Sequence, residues 1–239
     1  MENKIAGFSE MSNFFNEISE HLRHENRFSL PENLQRTVDI FCEYHYKHAI
    51  TIPTGGEYWR ARINPMGKID AYESSDIGAP PKGSASSGRI NPPGIRYLYV
   101  ASNKATAISE VRPWKGAMIS VANFVLKEDV KIVDLVQDIS LPASMESNSD
   151  AVIETLANDV ILKSINAKYF STPAHAHDDY AYLPSQYIAE KLKIMGIQGI
   201  KYPSVLSESG HNICLFLPDK AEFKISEVIN VKGVSYTFK

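Results

Sequence analysis

Few residues of this sequence are placed to do chemistry, and one carboxylate stands out among them. In YLYVASNKATAISEVRPWKG, residues 97–116, a strand-like opening gives way to small, helix-favouring residues, with Glu110 near the end of that run. With Ser102 as its cap, the spacing predicts a helix over 103–111, stopped because Pro113 disfavours helical backbone at Arg112. Glu110 then faces the negative end of the helix dipole. That costs roughly a few tenths of a kcal/mol for an exposed group and more for a buried one. A carboxylate so awkwardly placed is either a solvated charge paired with Arg112 or Lys115, or a group aimed at a substrate.

Cations come next. Arg60 and Arg62 alternate with Trp59, Ala61 and Ile63 in a strand pattern, so both project from one face. Guanidinium groups there could grip phosphate with paired hydrogen bonds. Arg89 lies among turn residues in GRINPPG, where the backbone can approach a ligand closely. YPSVLSESGHNICLF puts Ser204 at a strand end and His211–Asn212 at the start of the next strand. The serine is not in a GxSxG elbow, so a hydrolase of that type is unsupported. HAHDD, residues 175–179, could offer alternate metal ligands but reads as a polar loop, and there is no CxxC pair. No metal site is expected. No glycine-rich dinucleotide fingerprint or phosphate loop is present.

The elements that must position these groups fall into two grammars. Apolar residues recur at helical spacing over 8–26 and over 32–49, the second after Pro31, which predicts an N-terminal helical pair. TIPTGGE (51–57) reads as a turn-rich linker. Strands are then predicted at EYWRARI, RYLYVA, AMISVANFVL, VKIVDL (continuing the preceding one), GIKYPS and NICLFL. Helical periodicity returns over 149–165 and in SQYIAEKLKIMG, closed by Gly196. Residues 64–94 form a long Pro-, Gly- and Ser-rich segment, a length that in a compact domain is usually functional or disordered. Irregular spacers between strands argue for an α+β fold with a mixed or largely antiparallel sheet over a doubly wound one.

Bulk properties narrow the class. The chain has 239 residues and a formal net charge of −3, which gives no electrostatic case for nucleic acid or anionic membrane as main partner. No apolar run approaches the ~18 residues needed to span a bilayer. The first residues lack the apolar core of a signal peptide. Cys42 and Cys214 stand far apart in apolar surroundings and read as reduced, buried thiols, so the expected location is cytoplasmic.

Taken together, YWRARI, GAPP, GRINPPGIRYLYVASNKATAISEVRP, SQYIAEKLKIMGIQGIKYPS and NICLF resemble the RES domain, the Arg-Glu-Ser family of bacterial NAD-degrading proteins, many of them toxins paired with Xre-type antitoxins. The resemblance runs from about residue 57 to 219, and its most specific part is the order and spacing of Gly88-Arg89-Ile90-Asn91, Tyr99 and Glu110. It implies a split mixed or antiparallel sheet similar to the ADP-ribosyltransferase fold, spanning residues 56–239, with residues 1–55 as the helical extension of longer members. The family Arg matches Arg60, the Tyr matches Tyr99 and the Glu matches Glu110. The Ser matches Ser204 or, in a competing alignment, Ser185. Arg62, Arg89, Asn91 and Asn212 are the expected substrate-binding residues. NAD would be the substrate, with water or inorganic phosphate as acceptor and no resident cofactor. An Xre-type antitoxin and a second copy of the chain are the partners to consider. ADP-ribosyl transfer to a macromolecule and a non-catalytic NAD-sensing module stay open as alternatives.

Overall fold

The computed structural model describes residues 8–137, 162–171, 180–207 and 210–235. Two helices open the chain, α1 (Phe8–His24) and α2 (Glu32–Lys47). In α2 the residues Leu34, Val38, Phe41, Cys42 and His45 repeat at helical spacing and are buried, which is what drives the segment onto the rest of the molecule. The strands are β1 (Ile50–Ile52), β2 (Glu57–Ile63), β3 (Leu98–Ala101), β4 (Met118–Leu126), β5 (Val130–Asp134), β6 (Gly199–Pro203), β7 (His211–Leu215) and β8 (Ala221–Asn230). Further helices among the described residues are α3 (Ser74–Ile77), α4 (Lys104–Glu110) and α5 (Leu183–Ile194), with a π-helical turn at Asn166–Phe170.

These strands form one sheet in the order β1-β5-β6-β7-β3-β2-β4-β8. Among the described residues only β5 and β6 pair in parallel, so the mixed, mainly antiparallel α+β reading holds. The sheet is almost divided: β2 and β3 share a single register pair, Trp59 with Ala101. A second junction lies where β1 runs into β2 and β4 runs into β5. There the Gly55 amide donates to the Leu126 carbonyl (2.9 Å) and the Leu126 amide to the Gly56 carbonyl (3.0 Å). One long antiparallel ladder, β1–β2 against β4–β5, therefore runs from one half of the sheet into the other.

Several local expectations change. Thr51 and Ile52, read as linker, form a strand with Ile50 against β5, so the sheet starts before the expected boundary at residue 56. β8 is a strand beyond those predicted, an edge strand against β4 in which Phe223 and Ile225 alternate with Glu222, Lys224 and Ser226. The segment 64–94 is irregular apart from α3, yet it is tied down: Asn64 and Asn91 are buried within it. The helical reading of 149–165 falls mostly outside the described residues, as does HAHDD; Leu162–Ile165 are helical. No helix among the described residues is long and apolar enough to cross a membrane.

The main core joins α1 and α2 to α5 and one side of the sheet, through residues such as Ile18, Val38, Phe41, Ile188, Ile200 and Cys214. His45 lies in that core, its ring 4.4 Å from Phe41 and 5.2 Å from Tyr44, and its Nε2 has no hydrogen-bond partner among the described residues. Burial, helped by His48 and opposed by Asp134, lowers its pKa from 6.5 to about 4. The unfolded chain therefore takes up this proton at a higher pH than the native one. The associated stability is complete above about pH 6.5, falls with pH, and is gone below about pH 4, a total of about 3 kcal/mol. Denaturant unfolding measured across that window should show the loss, and His45→Leu should flatten it. An undiminished slope in the variant would assign the effect to other groups.

Candidate active site

Where β2 and β3 part, a cavity of about 300 Å³ opens. Trp59, Arg60 and Ala61 line it from β2, Tyr99 and Ala101 from β3, and Glu110 and Val111 from the end of α4. Tyr202 of β6 and Asn212 of β7, register partners, complete the far wall.

Arg60 occupies the gap itself. Its Nη1 donates to the Tyr99 carbonyl at 2.8 Å, an acceptor that a continued ladder would give to a β2 amide. Its Nε is buried and has no partner, and among the described residues no carboxylate pairs with it. Burial lowers its pKa, with Tyr99 acting in the opposite direction. A buried guanidinium lacking a counter-charge is costly, and an anionic ligand would relieve that cost.

Glu110 is the last residue of α4. The cap of this helix is Asn103, not Ser102: the Asn103 side chain accepts from the Thr106 amide at 2.8 Å. Ser102 instead bonds β7, its Oγ accepting from the His211 amide at 3.2 Å. The helix stops in a 3₁₀-like turn, with the Arg112 amide donating to the Ser109 carbonyl (3.0 Å) and Arg112 at φ 47, a left-handed backbone uncommon for a non-glycine. The Glu110 side chain is exposed and faces the same cavity as Arg60. Its Oε1 accepts two hydrogen bonds of 2.7 Å, from Ser204 Oγ and from Asn212 Nδ2. Its Oε2 has no hydrogen-bond partner among the described residues. Two donors thus oppose the dipole penalty and fix which oxygen is left for a ligand.

The β6–β7 loop carrying Ser204 is pressed onto α4. A Cβ at Gly210 would lie 2.0 Å from Thr106 Oγ1, so only glycine permits this approach. The serine at Glu110 is therefore Ser204. Ser185, 1 % exposed, is spent elsewhere: its hydroxyl donates to the Arg89 and Tyr182 carbonyls.

The GRINPPG loop is held just as firmly. The Tyr99 hydroxyl accepts from the Ile90 amide (3.0 Å) and the Asn91 amide (3.2 Å), and donates to Asn91 Oδ1 (2.8 Å). Asn91 Nδ2 donates to the Ser86, Pro92 and Ile95 carbonyls, which uses up the amide. Gln186 of α5 donates to the Gly88 carbonyl (2.8 Å) and the Asn91 carbonyl (3.1 Å). A Cβ at Gly88 would lie 2.5 Å from Asn91 Oδ1. Asn91 is accordingly a brace of this loop and is not available to a substrate, contrary to expectation. Tyr99 lines the cavity with its ring while its hydroxyl holds the loop.

Two arginines stand apart from the cavity lining. Arg62 stacks over Tyr72 (4.8 Å) and donates to the Asp76 carbonyl, so it secures α3. Arg89 stacks over Tyr182 (5.3 Å) and donates to the Tyr169 carbonyl (3.3 Å), yet is near enough to act electrostatically on Tyr202. Tyr202 went unnoticed in the sequence, where KYPS offers only a strand pattern. No three of the described His, Cys, Asp and Glu residues assemble as a metal site.

Residues 57–238 match the model of the RES domain family. No curated protein matches the chain. A solved structure that does is the crystal structure of the M. tuberculosis MbcT–MbcA toxin–antitoxin complex. The identity is 14 %, the alignment covers 84 % of this chain and 94 % of that one, and the TM-score is 0.40.

Tyr99→Phe tests how the loop is held. It strands two backbone amides and Asn91 Oδ1 in a part-buried setting, an expected loss of about 1–3 kcal/mol. Denaturant unfolding would measure it, and a variant as stable as the parent would show that the loop does not depend on this hydroxyl.

Proposed function

The chain belongs to the RES domain family, and on that premise we propose that it cleaves the bond between nicotinamide and ribose in NAD. The observation that supports this most directly is the pairing of charges across one cavity. A part-buried Arg60, with no carboxylate partner among the described residues, lines the same cavity as a Glu110 carboxylate that has one oxygen fixed and the other unbonded among those residues. NAD has matching parts: an anionic pyrophosphate and a ribose that becomes cationic as its glycosidic bond breaks.

In this reading Arg60 holds the pyrophosphate, with Arg89 in support. Glu110 Oε2 accepts from the ribose 2-hydroxyl. As the C–N bond breaks, its electron pair returns to the pyridinium ring and nicotinamide leaves neutral, so little acid assistance is needed. Positive charge gathers on the ribose, and Glu110 stabilises it, as carboxylates do in other glycoside cleavages. Water or inorganic phosphate then bonds to the ribose carbon and gives up a proton to solvent, yielding ADP-ribose or its phosphate ester. Ser204 and Asn212 are positioning residues, acting through Glu110. The same resemblance supports an Xre-type antitoxin as partner and the cytoplasm as location.

Purified protein incubated with NAD, with and without phosphate, should release nicotinamide, and the phosphate dependence identifies the acceptor. Glu110→Gln keeps the shape but removes the charge, and should lower turnover by about 10²–10³-fold. No release by the parent chain, or equal release by the variant, would overturn the proposal. Labelled NAD marking a macromolecule would point to ADP-ribosyl transfer instead.

A further inference from the structure

The Tyr202 hydroxyl has no hydrogen-bond partner among the described residues. The residue is 7 % exposed and lines the cavity. The oxygen is not among the fully enclosed polar atoms that lack a partner, so it keeps contact with the cavity, where solvent or a ligand can bond it. Its setting is that of a substrate contact. It lies directly across from Asn212, the residue that orients Glu110, and two residues before Ser204, the other donor to Glu110. Arg89 and Glu110 both act on it electrostatically. Burial and the neighbouring Cys214 push its pKa upward, so the phenol keeps its proton and can donate.

Resting on the NAD-cleaving reading, we infer that Tyr202 is a further substrate-binding residue, its hydroxyl donating to an oxygen of the NAD ribose–nicotinamide half beside Glu110. The oxygens within reach of that position in NAD are a ribose hydroxyl and the carboxamide carbonyl, both ordinary acceptors. Tyr99 cannot take this role, because its own hydroxyl already carries three hydrogen bonds.

Tyr202→Phe removes one oxygen and nothing else. A hydroxyl that serves only a ligand can be lost without harm to the fold. The melting temperature without NAD should therefore be unchanged or higher, while KM for NAD rises about ten-fold, the loss of one hydrogen bond to substrate. Titration of NAD into the Glu110→Gln background, with and without Tyr202→Phe, reads the same loss as binding, free of turnover. If the parent chain turns over NAD and the variant keeps its KM and affinity, the inference fails and the NAD reading stands. A lowered melting temperature with unchanged KM would likewise overturn it, assigning the hydroxyl to the fold. If the parent chain neither binds nor cleaves NAD, it is the NAD reading that fails.

Discussion

The site exists because two neighbouring strands touch at one point and then separate. β2 and β3 share the pair Trp59–Ala101 and no other. Past it, the backbone groups of β3 that would have continued the ladder need another partner, since buried peptide groups are rarely left unbonded. Arg60 provides it, donating from its side chain to the Tyr99 carbonyl. One substitution of side chain for backbone does three things at once. It closes the gap left by the missing ladder, anchors a guanidinium that burial would otherwise penalise, and keeps that residue in the cavity wall. A fully zipped sheet at this point would have no such cavity.

Everything else in the neighbourhood fixes geometry around that gap. Tyr99 faces the cavity from β3 and holds residues 88–91 through its hydroxyl, and Gln186 and Ser185 at the start of α5 grip the same loop from the other side. Across the cavity, Gly210 lets the β6–β7 loop close on Thr106, which brings Ser204 and Asn212 to one oxygen of Glu110. Preorganisation of this kind matters because a carboxylate free to swing would lose, in orienting itself, part of what it could contribute to a charged transition state.

How far the sequence disclosed this depends on whether the signal was local. β2, α4 and α5 were legible because their alternation, small-residue run and apolar period are properties of contiguous residues. Glu110 was conspicuous because its place at a helix end breaks a local electrostatic rule. The roles of the remaining residues are set by partners far along the chain. Asn91 looks like a ligand-facing amide until Tyr99, Ser86 and Ile95 are seen to use it up. Arg62 shares a strand pattern with Arg60, but only Arg60 meets the gap; Arg62 meets Tyr72 instead. The resemblance favours Ser204 and leaves Ser185 as a competing alignment, and the fold places one beside Glu110 and the other beneath the GRINPPG loop. Tyr202 carries no signal in sequence, since what marks it out is the absence of a bonding partner.

The N-terminal helices bear on the site without touching it. Among the described residues none before Trp59 lines the cavity, so α1 and α2 do not cover it. They share their core with α5, and polar ties reinforce the contact: Lys191 bonds Asp39, and Tyr187 donates to Gln35. The first turn of α5 holds the loop that Tyr99 holds from below, and the Arg89 guanidinium at the head of that loop rests on Tyr182, beside the start of α5. Displacing α2 would expose the apolar face of α5 and loosen its grip on residues 88–91, so the helical pair bears on the cavity through α5, by rigidity and not by obstruction. His45, whose buried Nε2 is unbonded among the described residues, lies within this same packing, so the stability lost on its protonation falls in the contact that steadies the site from behind.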